Sequence, residues 1–544
     1  MDALSLGLQV GVPVALLGSL LVVRWLDRPR GRWSSALRSR LLMGIPWGSL
    51  LAIALVLFVY LVVQQGLRYP NDPLAIPFTS WSYFDPVGVL MAPFSHQNLG
   101  HITGNLLGTV ALAPLAEYAF SHFPTGRGSH AFGDWRTNPY VRAFVVFPLG
   151  VVGVGLLTST FAWGPIIGFS GVVFAFGGFA LVRYPLATVV ALTMRDLVGT
   201  VYYVLRNPII TGTASPSFGP PWWAGIAIQG HLFGFLVGVV LGAAVLALRG
   251  EEERPSALRL WTGGLLVASS MTLWAVWWYQ AGGGYILYRG PGFLLVAAVA
   301  VLVAIAVRTS DTAIVGRVTR RQVALAVLVV PILTMGFVAV PLNATVVNDP
   351  TPPGQAIHLD GYMVTYAEDV TNERVGAIDL SMFGETTQVN ASGVIVIEPN
   401  RTIWTEAVSK GSLAYDGERT VRIGGVGWSR SVAAIRRGWT VTGGETAYQV
   451  ALQPVGDTPT WVFESKPKTA DPTIAGENVT VQPVDGHFYV LVTSGTETLG
   501  RARMPENNSS VTLGDLTLTN VNDERLVATH QNTRVEVAKA ETYE

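Results

Sequence analysis

Apolar residues fall in long unbroken runs through roughly the first two thirds of the chain, and the runs stop near residue 342. A hydrocarbon core about 30 Å thick takes roughly 20 helical residues to cross. Stretches of that kind lie at 4–24, 42–65, 101–119, 141–160, 166–184, 187–206, 224–248, 258–280, 292–307 and 322–342, which makes about ten spans. The weakest is 187–206, where Arg195-Asp196 interrupts the run; such a pair either neutralises itself or faces a protein interior. After a Pro-rich linker, Asn348-Asp349-Pro350-Thr351-Pro352-Pro353-Gly354, the period changes to two. Val394–Ile397, Trp439–Val441, Trp461–Phe463 and Phe488–Val492 read as strands, with Asp416-Gly417, Gly443-Gly444 and Asp485-Gly486 as turns between them. The pattern predicts an all-α, multi-pass membrane domain followed by a soluble, mostly β, sandwich-like domain.

Composition sharpens this picture. Half of the 544 residues are hydrophobic, only 13% are charged, and mean hydropathy is +0.41, outside the range of an ordinary soluble globular chain. The net charge of zero conceals a division: residues 1–340 hold 21 Lys+Arg against 11 Asp+Glu, whereas 341–544 hold 15 against 25. The basic residues sit in short loops between spans, so they signal orientation and not a nucleic-acid surface. The most basic loop, Arg24 through Arg40, belongs in the cytoplasm; alternation then places 66–100 outside, 120–140, 249–257 and 308–321 inside, and both termini outside the cytoplasm. Met1-Asp2 is acidic and no small-residue cleavage site follows the first run, so that run reads as a span and not as a cleaved signal. With no cysteine, disulfides and thiolate metal sites are excluded. Asn-x-Ser/Thr triplets at Asn343, Asn390, Asn400, Asn478, Asn507 and Asn508 all follow the last span, on the side where glycosylation would occur.

Chemistry-bearing residues concentrate at the expected outer ends of three spans. Gly168-Phe169-Ser170-Gly171 sets a serine between glycines at the head of one helix, where free N–H groups and close backbone approach are both available. Gly230-His231 opens another, and Gly230, Gly234, Gly238 and Gly242 recur every four residues, a smooth face for a neighbouring helix. His101 and Asn105, four apart after His96, share a face of a third and can donate to a developing oxyanion. Each motif alone also fits helix packing or a capped interfacial end. Together they place a hydroxyl, a base and polar donors in one leaflet, where polar groups are costly unless they line a wet cavity. A metal on His96 and His101 would lack a third ligand.

The set His96…His101-x-x-x-Asn105, Gly168-x-Ser170-Gly171 and His231-x-x-Gly234-x-x-x-Gly238 resembles the rhomboid family of intramembrane serine proteases, in order and in spacing. The resemblance implies a six-helix core over 42–248 and a Ser170–His231 dyad without an acidic third member. It also implies an oxyanion hole from the Ser170 N–H, Asn105 and His101, with Gly168 and Gly171 in the substrate-binding loop. His96, Phe174, Gly234 and Gly238 would support the site, and Glu117 matches a structural family position near the inner end of its helix. The chain departs from the family pattern at Phe174, often Tyr, and at Ile226, where a glycine is usual.

On this reading 1–41 is an extra span with a basic loop, 42–248 the catalytic core, 249–344 three added spans, and 345–544 an extracytoplasmic β domain. The expected substrates are membrane-spanning proteins cut within the bilayer of the cell membrane, without a cofactor and without nucleic acid. Partners outside the cytoplasm are expected for the β domain. The loop 66–98, with Trp81, Tyr83 and Phe84, is expected to border the site and dip into lipid. The rival readings are an inactive rhomboid-like protein that holds membrane clients, and, more remotely, a transporter.

Overall fold

The computed structural model describes residues 3–27, 33–124, 132–210, 216, 218–249, 254–280, 284–308, 313–316, 318–347, 351–378 and 386–543. The chain divides into two compact units, a first one covering Met1–Pro216, Pro220–Gln280 and Gly284–Thr345 and a second built on Val346–Glu544.

The first unit is helical, and seven of its described helices are long and apolar enough to cross a membrane: Leu4–Val23, Leu99–Phe120, Pro139–Thr160, Pro185–Arg206, Ile228–Leu248, Arg289–Arg308 and Arg320–Ala344. The other three apolar stretches form shorter helices. Trp47–Val63 is bounded by Pro46 and ends in a π turn. The run expected at 166–184 is helical only over Ser170–Arg183, because Gly168, at φ +129°, holds the preceding residues in a loop. Fourteen residues rise about 21 Å, well short of a hydrocarbon core. The stretch 258–280 is not one continuous helix: its helix stops at Ser270, and Trp277–Gln280 pairs antiparallel with Gly284–Leu287.

Backbone contact between helices organises the core of this unit. A Cβ placed on Gly234 would lie 2.1 Å from the Gly171 carbonyl, one on Gly238 2.1 Å from that of Ala175, and one on Gly178 2.2 Å from that of Phe235. The Ser170 and His231 helices therefore touch backbone to backbone, the small-residue packing that bilayers favour. Gly242 belongs to the same seam, with Phe179 O at 3.0 Å, but Gly230 faces open space, so the smooth face begins a turn later than the repeat suggests. Phe169, Phe176, Phe235, Val239 and Leu112 fill the core around this seam.

The second unit is antiparallel β throughout its sheets. Ala356–Leu359, Tyr362–Thr371, Asn390–Glu398 and Ile403–Ser409 form one four-stranded sheet, with Val364 opposite Val396 and Ile397 opposite Trp404. Lys468–Ile474, Glu477–Val484, His487–Ser494 and Glu497–Arg503 form another. An eight-stranded sheet centres on the long strand Trp428–Val441. The expected strands fall where the period-two pattern put them, and so do two of the turns: Asp485 and Gly486 both have positive φ (46° and 79°), the tight hairpin geometry that Asp-Gly favours, and Gly443-Gly444 joins Trp428–Val441 to Thr446–Pro454. Asp416-Gly417 is instead the end of a short helix, Lys410–Asp416, with Gly417 as its left-handed cap at φ 72°.

Two surface expectations are overturned. Trp81, expected to dip into lipid, is buried, its indole N–H bonded to the Ile76 carbonyl at 2.7 Å; Phe84 is exposed. Asn343 is also buried, its amide donating to Ala162 O at 2.8 Å, so this triplet offers no free acceptor for a glycan in the folded chain.

Candidate active site

Ser170 is the first residue of its helix, so its backbone N–H is one of those an α-helix leaves without an internal partner. The loop before it is held at several points. Gly168 N–H donates to Ala92 O at 2.9 Å, Ser80 N–H donates to Ile166 O at 2.9 Å, and Phe169 N–H points at His96 Nε2 at 3.5 Å. Glycine at 168 is a spatial requirement: a Cβ there would sit 2.7 Å from the His101 ring and 3.5 Å from Asn105 Nδ2. Gly171 packs just as closely, with Thr158 2.9 Å from a Cβ at that position.

His231 reaches Ser170 from the adjacent helix, Nε2 to Oγ at 2.8 Å, which is hydrogen-bond distance. Phe174, one turn along the Ser170 helix, lies flat against the imidazole, ring centroids 4.2 Å apart and planes 13° off parallel. The stack fixes the ring's tilt without a hydroxyl. With Nε2 accepting from the serine hydroxyl, the neutral ring carries its proton on Nδ1, and Nδ1 has no hydrogen-bond partner among the described residues.

Asn105 and His101 come in from the Leu99–Phe120 helix, whose start is set by the Asn98 side chain capping His101 N–H at 2.9 Å. Both line a cavity of about 480 Å³ that also contains Ser170, His231 and Phe174. Asn105 Nδ2 and His101 Nδ1 are buried without partners among the described residues, although most buried polar atoms in folded proteins are paired. His96 lies behind, fully buried and edge-on to His101 at 5.1 Å. Arg195 also lines the cavity; its guanidinium binds Asp196 Oδ1 at 2.7 and 2.8 Å, so the pair neutralises itself within its helix.

Ser170, His231, Asn105, His101, Gly168, Gly171, His96 and Phe174 lie in this cluster, Gly234 and Gly238 lie on the helix seam beneath it, and Glu117 lies at the far end of the Leu99–Phe120 helix. Two glutamines that position the cluster carry no motif. Gln64 bonds both backbone groups of His96 (2.8 Å each) and the Leu74 carbonyl, fixing the turn into the Asn105 helix. Gln229 joins the start of the His231 helix to the loop before Ser170, accepting from Trp163 N–H at 3.0 Å and donating to Phe161 O at 2.9 Å. The detectable signal was polarity alone, an amide at the end of an apolar run.

The site's helices coincide with a known family unit. Residues 83–248 match the family model of the Rhomboid domain, and they contain His96, His101, Asn105, Ser170 and His231. The chain thus carries a rhomboid domain, of a family that includes serine proteases, within a multi-pass membrane protein. No curated protein and no solved structure matches the chain.

Proposed function

We propose that this protein is an intramembrane serine endopeptidase, and the single observation that carries the proposal is the 2.8 Å approach of His231 Nε2 to Ser170 Oγ, both of the rhomboid domain, in a cavity that Asn105 and His101 also line. Ser170 Oγ attacks the scissile carbonyl carbon as its proton passes to His231 Nε2; the C–O bond forms and the carbonyl oxygen becomes an oxyanion. The Ser170 N–H, Asn105 Nδ2 and the His101 ring supply donors to that oxyanion, in keeping with the partnerless amide nitrogen at Asn105. The C–N bond then breaks as His231 returns the proton to the leaving amine. Water, giving a proton to the same imidazole, then attacks the acyl carbon; the C–Oγ bond breaks and His231 returns that proton to Ser170 Oγ.

The substrates are proteins that span the membrane. The excess of Arg in the 24–40, 120–140 and 308–321 loops supports an orientation with the site toward the outer leaflet and the β unit outside the cytoplasm. We assign 42–248 as the catalytic core, 1–41 and 249–344 as added membrane segments, and 345–544 as a binding or spacing module for partners outside the cytoplasm.

The test is cleavage of a labelled single-span protein by the full chain in liposomes. The wild type generates two fragments and Ser170→Ala generates none while remaining folded. Equal cleavage by Ser170→Ala removes the proposed nucleophile. A folded wild type that retains substrates and cuts none favours a client-binding role.

A further inference from the structure

The cavity that holds Ser170 and His231 is walled in part by Ser270, Met271 and Thr272, which lie beyond residue 248, where the rhomboid domain ends. They reach it because the stretch 258–280 breaks. The helix Ala257–Ser270 closes with Met271 N–H bonded to Val267 O at 2.9 Å, and Thr272 then takes φ +59°, a conformation a β-branched residue adopts only under constraint.

Three contacts hold the break in place. Met271 is buried with its sulfur 3.1 Å from where a Gly177 Cβ would stand, so it seats against the Ser170 helix. Gly292 lets the Arg289–Arg308 helix pass against the Trp274 carbonyl, which a Cβ would meet at 1.9 Å. On the far side, Trp277 Nε1 donates to Ile226 O at 2.9 Å, tying the hairpin that follows the break to the segment that leads into the His231 helix. Ile226 itself lines the cavity. A wall seated against the Ser170 helix and tied through Trp277 to the segment before the His231 helix, with Ser270 exposed on it and Met271 behind, has the rigidity that a side-chain pocket needs.

Resting on the protease reading above, we infer that the Ser270–Thr272 turn is a substrate subsite: it receives a side chain close to the scissile bond and selects it by size. Selectivity would then come partly from an element outside the rhomboid domain.

The experiment uses the full chain in liposomes and a panel of single-span substrates that carry Ala, Leu or Phe at one position at a time within three residues of the cut. Ser270→Leu fills the wall and lowers the Phe-to-Ala cleavage ratio at one position by about tenfold or more, the scale at which hydrophobic pockets discriminate by size. Met271→Ala deepens it and raises the same ratio. A general loss of packing would slow every substrate alike, so the ratio is the readout; Ser270, being exposed, gives a variant that tests the wall even if Met271→Ala fails to fold. Unchanged ratios at every position in cleaving Ser270→Leu protein overturn the subsite and leave the protease reading intact. A folded wild type that cuts nothing in the panel overturns both.

Discussion

The Leu99–Phe120 helix carries a buried polar cluster at each end, and the two are built on opposite plans. At its C-terminal end Glu117 is fully buried and saturated. Its carboxylate accepts from Gly48 N–H (2.8 Å), Ser49 N–H (2.7 Å) and Ser49 Oγ (2.7 Å), and meets His122 Nε2 at 2.7 Å. His122 Nδ1 in turn accepts from Leu42 N–H at 2.8 Å, so its Nε2 carries the hydrogen donated to Glu117. The carboxylate thereby caps the Trp47–Phe58 helix, whose N-terminus attracts negative charge. At the other end Asn105 Nδ2 and His101 Nδ1, with His231 Nδ1 on the facing helix, have no partners among the described residues. A cluster that binds helices together closes its hydrogen bonds internally; one that awaits a reacting molecule leaves them open.

Substitutions at the two ends should therefore move different observables. The largest effect is expected at the open end: His231→Ala lowers the cleavage rate about a millionfold, the scale of losing the base of a serine protease, with little change in thermal unfolding. At the closed end Glu117→Ala lowers stability by about 3–5 kcal/mol, since it strands buried donors and His122. Unfolding followed in detergent checks this, and a melting temperature unchanged from wild type would dissolve the contrast. Asn105→Ala lowers kcat by about 10²–10³ with KM nearly unchanged, and leaves stability level or slightly raised because an unpaired amide is removed. A rise in KM at constant kcat would show that Asn105 holds the substrate and not the oxyanion. Phe174→Leu is the mildest: it removes a ring stack worth about 1 kcal/mol and slows cleavage less than about tenfold, whereas Phe174→Tyr keeps the stack and the rate.

The open end was the more legible of the two in the sequence. Gly168, Ser170, Gly171, His231, Gly234 and Gly238 combine rare polar residues in apolar runs with glycines at helix-contact spacing, so residue type and interval pointed the same way. The strands at Val394–Ile397 and Phe488–Val492 were equally plain from alternation. Hydropathy summed over a window cannot see where a helix begins, which is why the run at 166–184 concealed a helix starting only at Ser170 and the run at 258–280 concealed a turn and a strand. Both breaks come from tertiary contacts, Gly168 against His101 and Gly292 against Trp274, made by residues far apart in the chain. Gln64 and Gln229 escaped notice for a related reason: an amide clamp on a remote backbone has no local pattern. Trp81 and Asn343 were misread because a tryptophan or a sequon beyond a span resembles a surface group until its partners, Ile76 O and Ala162 O, are known.

Covalent labelling of the folded, detergent-solubilised chain with a fluorophosphonate, followed by mapping of the adduct, addresses the Ser170–His231 pair most directly. An adduct on Ser170 in the wild type that disappears in His231→Ala is the expected result. A folded wild type with Ser170 unmodified, or equal modification in His231→Ala, would contradict an imidazole-activated serine.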